Sequence, residues 1–149
     1  MKVERDITIN AAPEAVWAVL MDPQRLADWV SIHQKLKSAP NGRLEKGDQL
    51  VQSLRLMRKN FDVKWNVEQA DEPHKAVWEG RGPVRSKAAV VYELHPDGNG
   101  GTRFHYMNEF KAPMGPLGGF FADHAFQRTS EREADKTLDN LKGLLEPAR

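Results

Sequence analysis

Residues 61–82, FDVKWNVEQADEPHKAVWEGRG, decide the fold. Phe61, Val63, Trp65 and Val67 alternate with Asp62, Lys64, Asn66 and Glu68, the period of two expected of a half-buried strand. After the turn residues ADEPHK, a second alternating run reaches Trp78 and then Glu79-Gly80-Arg81-Gly82. Two such runs joined by a short polar turn form an antiparallel hairpin. The same pattern extends both ways, predicting strands at about 33–39, 48–57, 60–70, 75–82, 84–95 and 102–110. Upstream, VERDITI alternates Val3, Ile7 and Ile9 with polar residues and adds a seventh strand. Pro13 then suits a first helical turn, and Val16, Trp17, Val19 and Leu20 follow at helical spacing. Asp22-Pro23 ends that helix, and QRLADWV predicts a second short one with Leu26, Trp29 and Val30 inward. Beyond Gly118-Gly119, apolar residues three or four apart (Phe126, Ala134, Leu138, Leu141, Leu145) predict a closing helix that stops before Pro147. Ser130-x-x-Glu133 also fits a capping box, which would break this helix near residue 129. The fold class is α+β.

Register tests the pairing, because a one-residue slip sends every side chain to the opposite face. Around MRKN, Leu56 against Phe61 aligns Leu54 with Val63 and Leu50 with Val67, leaving Gln52 opposite Trp65. Val67 against Trp78 sets Trp65 across from Gly80. Leu94 against Phe104 matches Tyr92 to Tyr106, Val90 to Asn108 and Ala88 to Phe110. One face is then mostly apolar and the other carries Arg55, Asp62, Lys64, Glu79, Arg81, Lys87 and Glu109. Glu79 and Arg81 therefore face solvent while Trp78 points inward, an assignment that a β-bulge between residues 68 and 78 would reverse.

Only the long helix is large enough to cover the apolar face. Its stripe is polar or small in the middle, at Thr129, Ser130, Glu133, Ala134 and Thr137, and the sheet beneath offers Gln52, Gly80, Gly82, Tyr92, Tyr106 and Asn108. Small and polar groups on both sides do not fill a core to native density. A ligand cavity is expected there, bordered also by Trp29, Leu54, Trp65, Trp78 and Phe126. In the competing arrangement Trp65, Trp78 and Tyr92 fill the space themselves.

The whole chain bounds the function. Its 149 residues suffice for one domain with a real core. With 22 basic and 21 acidic residues the formal charge is +1, which argues against a nucleic-acid partner. The absence of cysteine removes disulfides and thiol nucleophiles. MKVERDITIN carries charges where a secretory leader is apolar, and no run approaches the roughly 18 apolar residues of a membrane span, so a cytoplasmic protein without stable membrane insertion is expected. The histidines at 33, 74, 95, 105 and 124 lack H-x-H or H-E-x-x-H spacing, and neither a metal nor a cofactor is expected. His105 and Glu109 share the outer face. GNGG at 98–101 predicts a hairpin turn, and Pro113–Gly119 a linker into the helix that could border a cavity entrance.

ITINAAPEAVWAVLMDPQRLADW (7–29), VEQADEPHKAVWEG (67–80), YELHPDGNGGTRF (92–104) and LDNLKGLLE (138–146), taken in this order, resemble the START-like or helix-grip superfamily. That superfamily includes the pollen-allergen fold, and the resemblance is to its polyketide cyclase/dehydrase-like group. It implies a seven-stranded curved antiparallel sheet gripping the long helix around a hydrophobic cavity, with two short helices between the first two strands. It implies a hydrophobic small-molecule ligand, lipid-, polyketide- or quinone-like, and carries over no catalytic residue. An enzyme of this kind, a cyclase or dehydratase on a ketone-bearing substrate, would draw on Tyr92, Tyr106 or Glu133 as acid or base with Asn108 as a donor. A third reading is a chaperone-activator-like interaction module, whose protein partner the residues do not name.

Overall fold

The computed structural model describes residues 1–111 and 124–147. The Pro113–Gly119 linker lies outside them. The order is β1 (Lys2–Ile9), α1 (Pro13–Leu20), α2 (Leu26–Trp29), β2 (His33–Ser38), β3 (Gln49–Leu56), β4 (Lys59–Asp71), β5 (Lys75–Arg81), β6 (Lys87–Pro96), β7 (Thr102–Lys111) and α3 (His124–Leu145). All seven strands join one antiparallel sheet in the order β1-β7-β6-β5-β4-β3-β2, so β1 closes the meander beside the last strand. The architecture is the α+β helix grip, with α3 packed across the apolar face against β1 and α2.

Local chemistry explains the elements. Pro13 opens α1, and Val16, Trp17, Val19 and Leu20 form its buried face. The Asp22 carboxylate accepts from the Gln24 amide at 3.0 Å and starts a 3₁₀ turn, Pro23–Arg25, so the second helix is shorter than the QRLADWV pattern predicts. The β6–β7 loop is held by Asp97, whose carboxylate accepts from the amides of Asn99 (2.7 Å) and Gly101 (2.9 Å), while Gly98 and Gly100 supply φ of 88° and 84°. Helix α3 is unbroken for 22 residues, about 33 Å at 1.5 Å per residue. Ser130 therefore lies in its buried interior instead of capping an N-terminus.

One register differs from expectation. Leu54 pairs with Phe61, Gln52 with Val63 and Leu50 with Trp65, two residues from the pattern-based pairing. The cause is a two-residue turn at Met57-Arg58, both at positive φ (52° and 65°), in place of the four-residue turn MRKN. A slip of two preserves the faces. The β4–β5 register is the expected one at Val67–Trp78 and Trp65–Gly80, and it is reached through a bulge between Val67 and Gln69. From the turn, Asp71 pairs with Lys75 and Ala70 with Ala76; continued unbroken, that phase would set Val67 against Glu79. The extra residue at Glu68 restores Val67 to Trp78, so the bulge produces the inward tryptophan instead of reversing it. The β6–β7 register is the expected one throughout, Tyr92 facing Tyr106 and Val90 facing Asn108. Strand β6 starts at Lys87, three residues later than the pattern suggests, because Pro83–Arg85 forms a 3₁₀ turn with Val84 and Arg85 at positive φ.

Aromatic rings fill the middle of the core. Tyr92 contacts Trp78 at 5.7 Å, Phe104 at 5.8 Å, Trp29 at 6.0 Å and Tyr106 at 6.2 Å between ring centroids, and Trp65 meets Trp78 edge-on at 6.0 Å. Each such pair adds about 0.5–1.5 kcal/mol beyond area burial. Glu79 and Arg81 are exposed on the other face, opposite Asn66 and Lys64.

Candidate functional site

Beneath α3 the described residues leave a partly open space. A cavity of about 80 Å³ lies between α3, the segment Val30–Ile32, and the inner faces of β1, β3, β4, β6 and β7. Val3, Leu54, Leu56, Phe61, Val63, Trp65, Ala88 and Phe110 make most of its wall. Tyr106 and Asn108 from β7, Ser130, Glu133 and Thr137 from α3, and Ser31 add the polar groups.

Of the residues singled out from sequence, Leu54, Trp65, Tyr106, Asn108, Ser130, Glu133, Ala134 and Thr137 border this cavity together. The others sit elsewhere. Trp29, Trp78 and Tyr92 form the aromatic block behind Trp65 and Tyr106. Phe126 packs on Phe110 at 6.4 Å. Gln52 bridges Trp65 and His33: its Oε1 accepts from Trp65 Nε1 at 3.0 Å, and its Nε2 donates to His33 Nδ1 at 2.9 Å. That donation puts the neutral ring's proton on Nε2, and burial lowers the pKa of His33. Gly80 leaves no free room, since a Cβ there would stand 2.6 Å from Val63 Cγ1 and 2.7 Å from Trp65 Cε3. At Gly82 a Cβ would stand 2.6 Å from Ser86 Oγ. Side chains therefore occupy the centre of the helix–sheet interface, and the open volume is displaced toward the β3–β4 and β5–β6 turns.

Sequence reasoning missed Ser31. Its hydroxyl donates to Glu133 Oε2 at 2.7 Å and lies 3.0 Å from the Glu133 carbonyl oxygen, while it accepts from Thr137 Oγ1 at 3.0 Å. The Ser31 amide donates to Thr137 Oγ1, also at 3.0 Å. With Asn140 donating to the Trp29 carbonyl at 3.3 Å, these bonds tie the α2–β2 junction to α3 along one side of the cavity. The small, polar stripe of α3 was the available signal, and its partner lies 102 residues away in sequence. Glu133 ion-pairs with Lys136 at 3.5 Å, one turn on.

The electrostatics favour neutral hydrogen-bonding groups. Burial raises the pKa of Tyr92 well above its usual 10.0, with Tyr106 adding to the effect, and burial also raises Tyr106 despite the opposing bond from Asn108 Nδ2 at 3.2 Å. Both phenols keep their protons at neutral pH, and the Tyr106 oxygen already accepts a bond. Among the described residues the buried Ser130 hydroxyl has no hydrogen-bond partner. His105, by contrast, is on the outer face between Asp6 (2.9 Å) and Glu4 (3.9 Å). Among the described residues no cluster of three or more His, Asp or Glu could hold a metal ion, and no helix is long and apolar enough to cross a membrane.

Solved structures share this fold at low identity. The protein TTHA0849 from Thermus thermophilus superposes with a TM-score of 0.79 at 17% identity, covering 97% of each chain. Protein CV1439 from Chromobacterium violaceum gives 0.73 at 14% identity, over 99% of this chain and 98% of that one. DynU16, titled a putative protein in the dynemicin biosynthetic locus, gives 0.67 at 14% identity over 97% of this chain and 46% of its own. No curated protein matches the sequence. Residues 1–146 match the family described as polyketide cyclase / dehydrase and lipid transport, and the chain belongs to that START-like family.

Proposed function

We propose that the protein binds a hydrophobic or aromatic small molecule, lipid-, polyketide- or quinone-like, between the sheet and α3. The observation that carries this is the Ser130 hydroxyl: 8% exposed, without a partner among the described residues, on the wall of a mostly apolar cavity. Buried polar groups are nearly always paired, and a ligand oxygen or nitrogen is the partner this one lacks. Asn108, Tyr106 and Glu133 on the same cavity supply further polar contacts. At about 80 Å³ the space admits a ring-sized group, whereas pockets for drug-sized ligands hold roughly 300–1,000 Å³. A larger ligand enters by parting the Ser31 bonds to α3 and widening the cavity.

The test is native mass spectrometry of protein purified from its own host, joined to tryptophan-fluorescence titration with 2-naphthol as probe. A retained small molecule, and probe affinity abolished by Ser130→Leu, are expected. No retained molecule together with identical titrations for both proteins would sink the reading.

A second reading is catalytic: Tyr106, Asn108 and Glu133 on one cavity wall would serve cyclisation or dehydration of a ketone-bearing substrate, as the family's description suggests. Once a turnover is found, Glu133→Gln and Tyr106→Phe should each lower kcat. Unchanged rates in both remove this assignment.

A further inference from the structure

The net charge of +1 hides an uneven distribution. On the outer face, Lys64 is paired across strands with Arg81, Arg81 with Lys87 and Lys87 with Lys111, a row of four cations over four adjacent strands. Like charges directly opposite one another destabilise a sheet, so the row lowers stability unless an anion meets it. The adjacent row offers Glu79 and Glu109, of which Glu109 pairs with Lys111 at 3.6 Å. Among the described residues no acid stands within ion-pairing distance of Lys64, Arg81 or Lys87. An open groove of about 380 Å³ runs along these side chains, with Glu68, Glu79 and Glu109 also on its wall.

Apolar residues emerge at the same end of the sheet. Val84, 58% exposed, tops the turn just beyond the row, and Met57, 36% exposed, tops the β3–β4 turn. Each is followed by an arginine, Arg85 and Arg58. Both turns hold non-glycine residues at positive φ, with β-branched Val84 at 54°. Residues at positive φ that are neither glycine nor asparagine persist where the surroundings or a function require them. On the inner side of this end lie Leu54, Leu56 and Phe61 of the cavity.

We propose that this end of the sheet docks on an anionic phospholipid bilayer, the cation row meeting lipid phosphates and carboxylates while Met57 and Val84 enter the headgroup layer. Apolar side chains beside basic ones fit that boundary. They fit a nucleic acid poorly: the exposed large hydrophobic residues among those described are Met57, Val84 and Leu144, none of them an aromatic on which a base could stack.

The experiment is co-sedimentation of the full chain with phosphatidylcholine vesicles, with and without phosphatidylserine, over a salt series, beside a duplex oligonucleotide arm. Binding to the anionic vesicles alone is expected, weakening as salt rises. Each of Lys64→Gln, Arg81→Gln and Lys87→Gln should lower the partition coefficient about fivefold, and the triple variant should lower it further. Met57→Ser with Val84→Ser should weaken binding while leaving the salt dependence in place. Thermal unfolding confirms that each variant is folded, and the single variant Lys87→Gln suffices if the triple one is not. Equal binding to neutral vesicles, no binding to either kind, charge variants that bind like the parent, or tighter binding to the oligonucleotide would each overturn the proposal. Phospholipid is itself lipid-like, so the charge variants are also titrated with 2-naphthol. Unchanged probe affinity beside weakened vesicle binding separates this face from the cavity, and failure of vesicle binding leaves the 2-naphthol result standing.

Discussion

Ser31 Oγ donates a 2.7 Å hydrogen bond to Glu133 Oε2, joining the α2–β2 junction to the middle of the long helix beside the cavity. The bond bears on stability. Ser31→Ala should destabilise by about 1 kcal/mol, and Thr137→Val, which leaves the Ser31 amide without its acceptor, by about 1–3 kcal/mol. In a double-mutant cycle followed by urea unfolding the two should be non-additive, because they share one network. Strict additivity would mean that the network is not formed.

Gly80→Ala should destabilise by roughly 1–3 kcal/mol, since its Cβ would meet Val63 and the Trp65 ring at 2.6 and 2.7 Å. Trp65 emission should shift as the ring is displaced. Gly82→Ala brings its Cβ to 2.6 Å from the Ser86 hydroxyl and to 3.6 Å from the Phe110 ring, and its effect should be the smaller of the two. Equal effects in chemical denaturation would contradict the packing described.

Tyr92 and Tyr106 are the chain's only two tyrosines, so the rise in absorbance at 295 nm with pH, above the constant background of four tryptophans, reports on their ionisation. Both pKa values are raised in the folded state, so the folded chain holds these protons more tightly than the unfolded one. Their contribution to stability is complete below the ordinary value of 10.0 and is lost as pH rises above it. Tyrosinate should appear only on unfolding, and Tyr92→Phe/Tyr106→Phe should flatten the alkaline fall in stability. Tyrosinate absorbance growing near pH 10 in the folded protein would refute the burial.

His33 behaves in the opposite sense. Its pKa is lowered from 6.5 by burial, so the unfolded state binds the proton more readily and stability is lost as pH falls below 6.5 toward the folded value. Protonation at Nδ1 also ends the bond from Gln52. An NMR titration should place His33 below the ordinary 6.5, and His33→Asn should remove part of the acid sensitivity. A His33 titrating above 6.5 would reverse the sign.

The elements, their order and the inner and outer faces of the strands were legible because each face has a strict period of two and the helix its own. The β3–β4 register was not. A slip of two residues exchanges one apolar partner for another, and Met57-Arg58 carries no glycine or asparagine to announce a two-residue turn. A bulge in the β4–β5 hairpin reads from the pattern as a risk to Trp78, yet the one at Glu68 is what turns Trp78 inward, because the hairpin turn alone sets the opposite phase.

The candidate site was legible in part, for a related reason. Leu54, Trp65, Tyr106, Asn108, Ser130 and Glu133 come together on the cavity because side chains of one face must lie under one helix. Trp29, Trp78 and Tyr92 do not, since their rings interlock into a block that fills the centre. By itself the sequence determined the α+β class, the order of elements and the polarity of each face, which follow from short-range periodicity and local breakers, while the grip and the family came from the resemblance of its motifs. Only the tertiary structure decided where the remaining space lies and that Ser31 closes one side of it. Volume left over after packing, and contacts between residues 102 apart, depend on all the side chains at once.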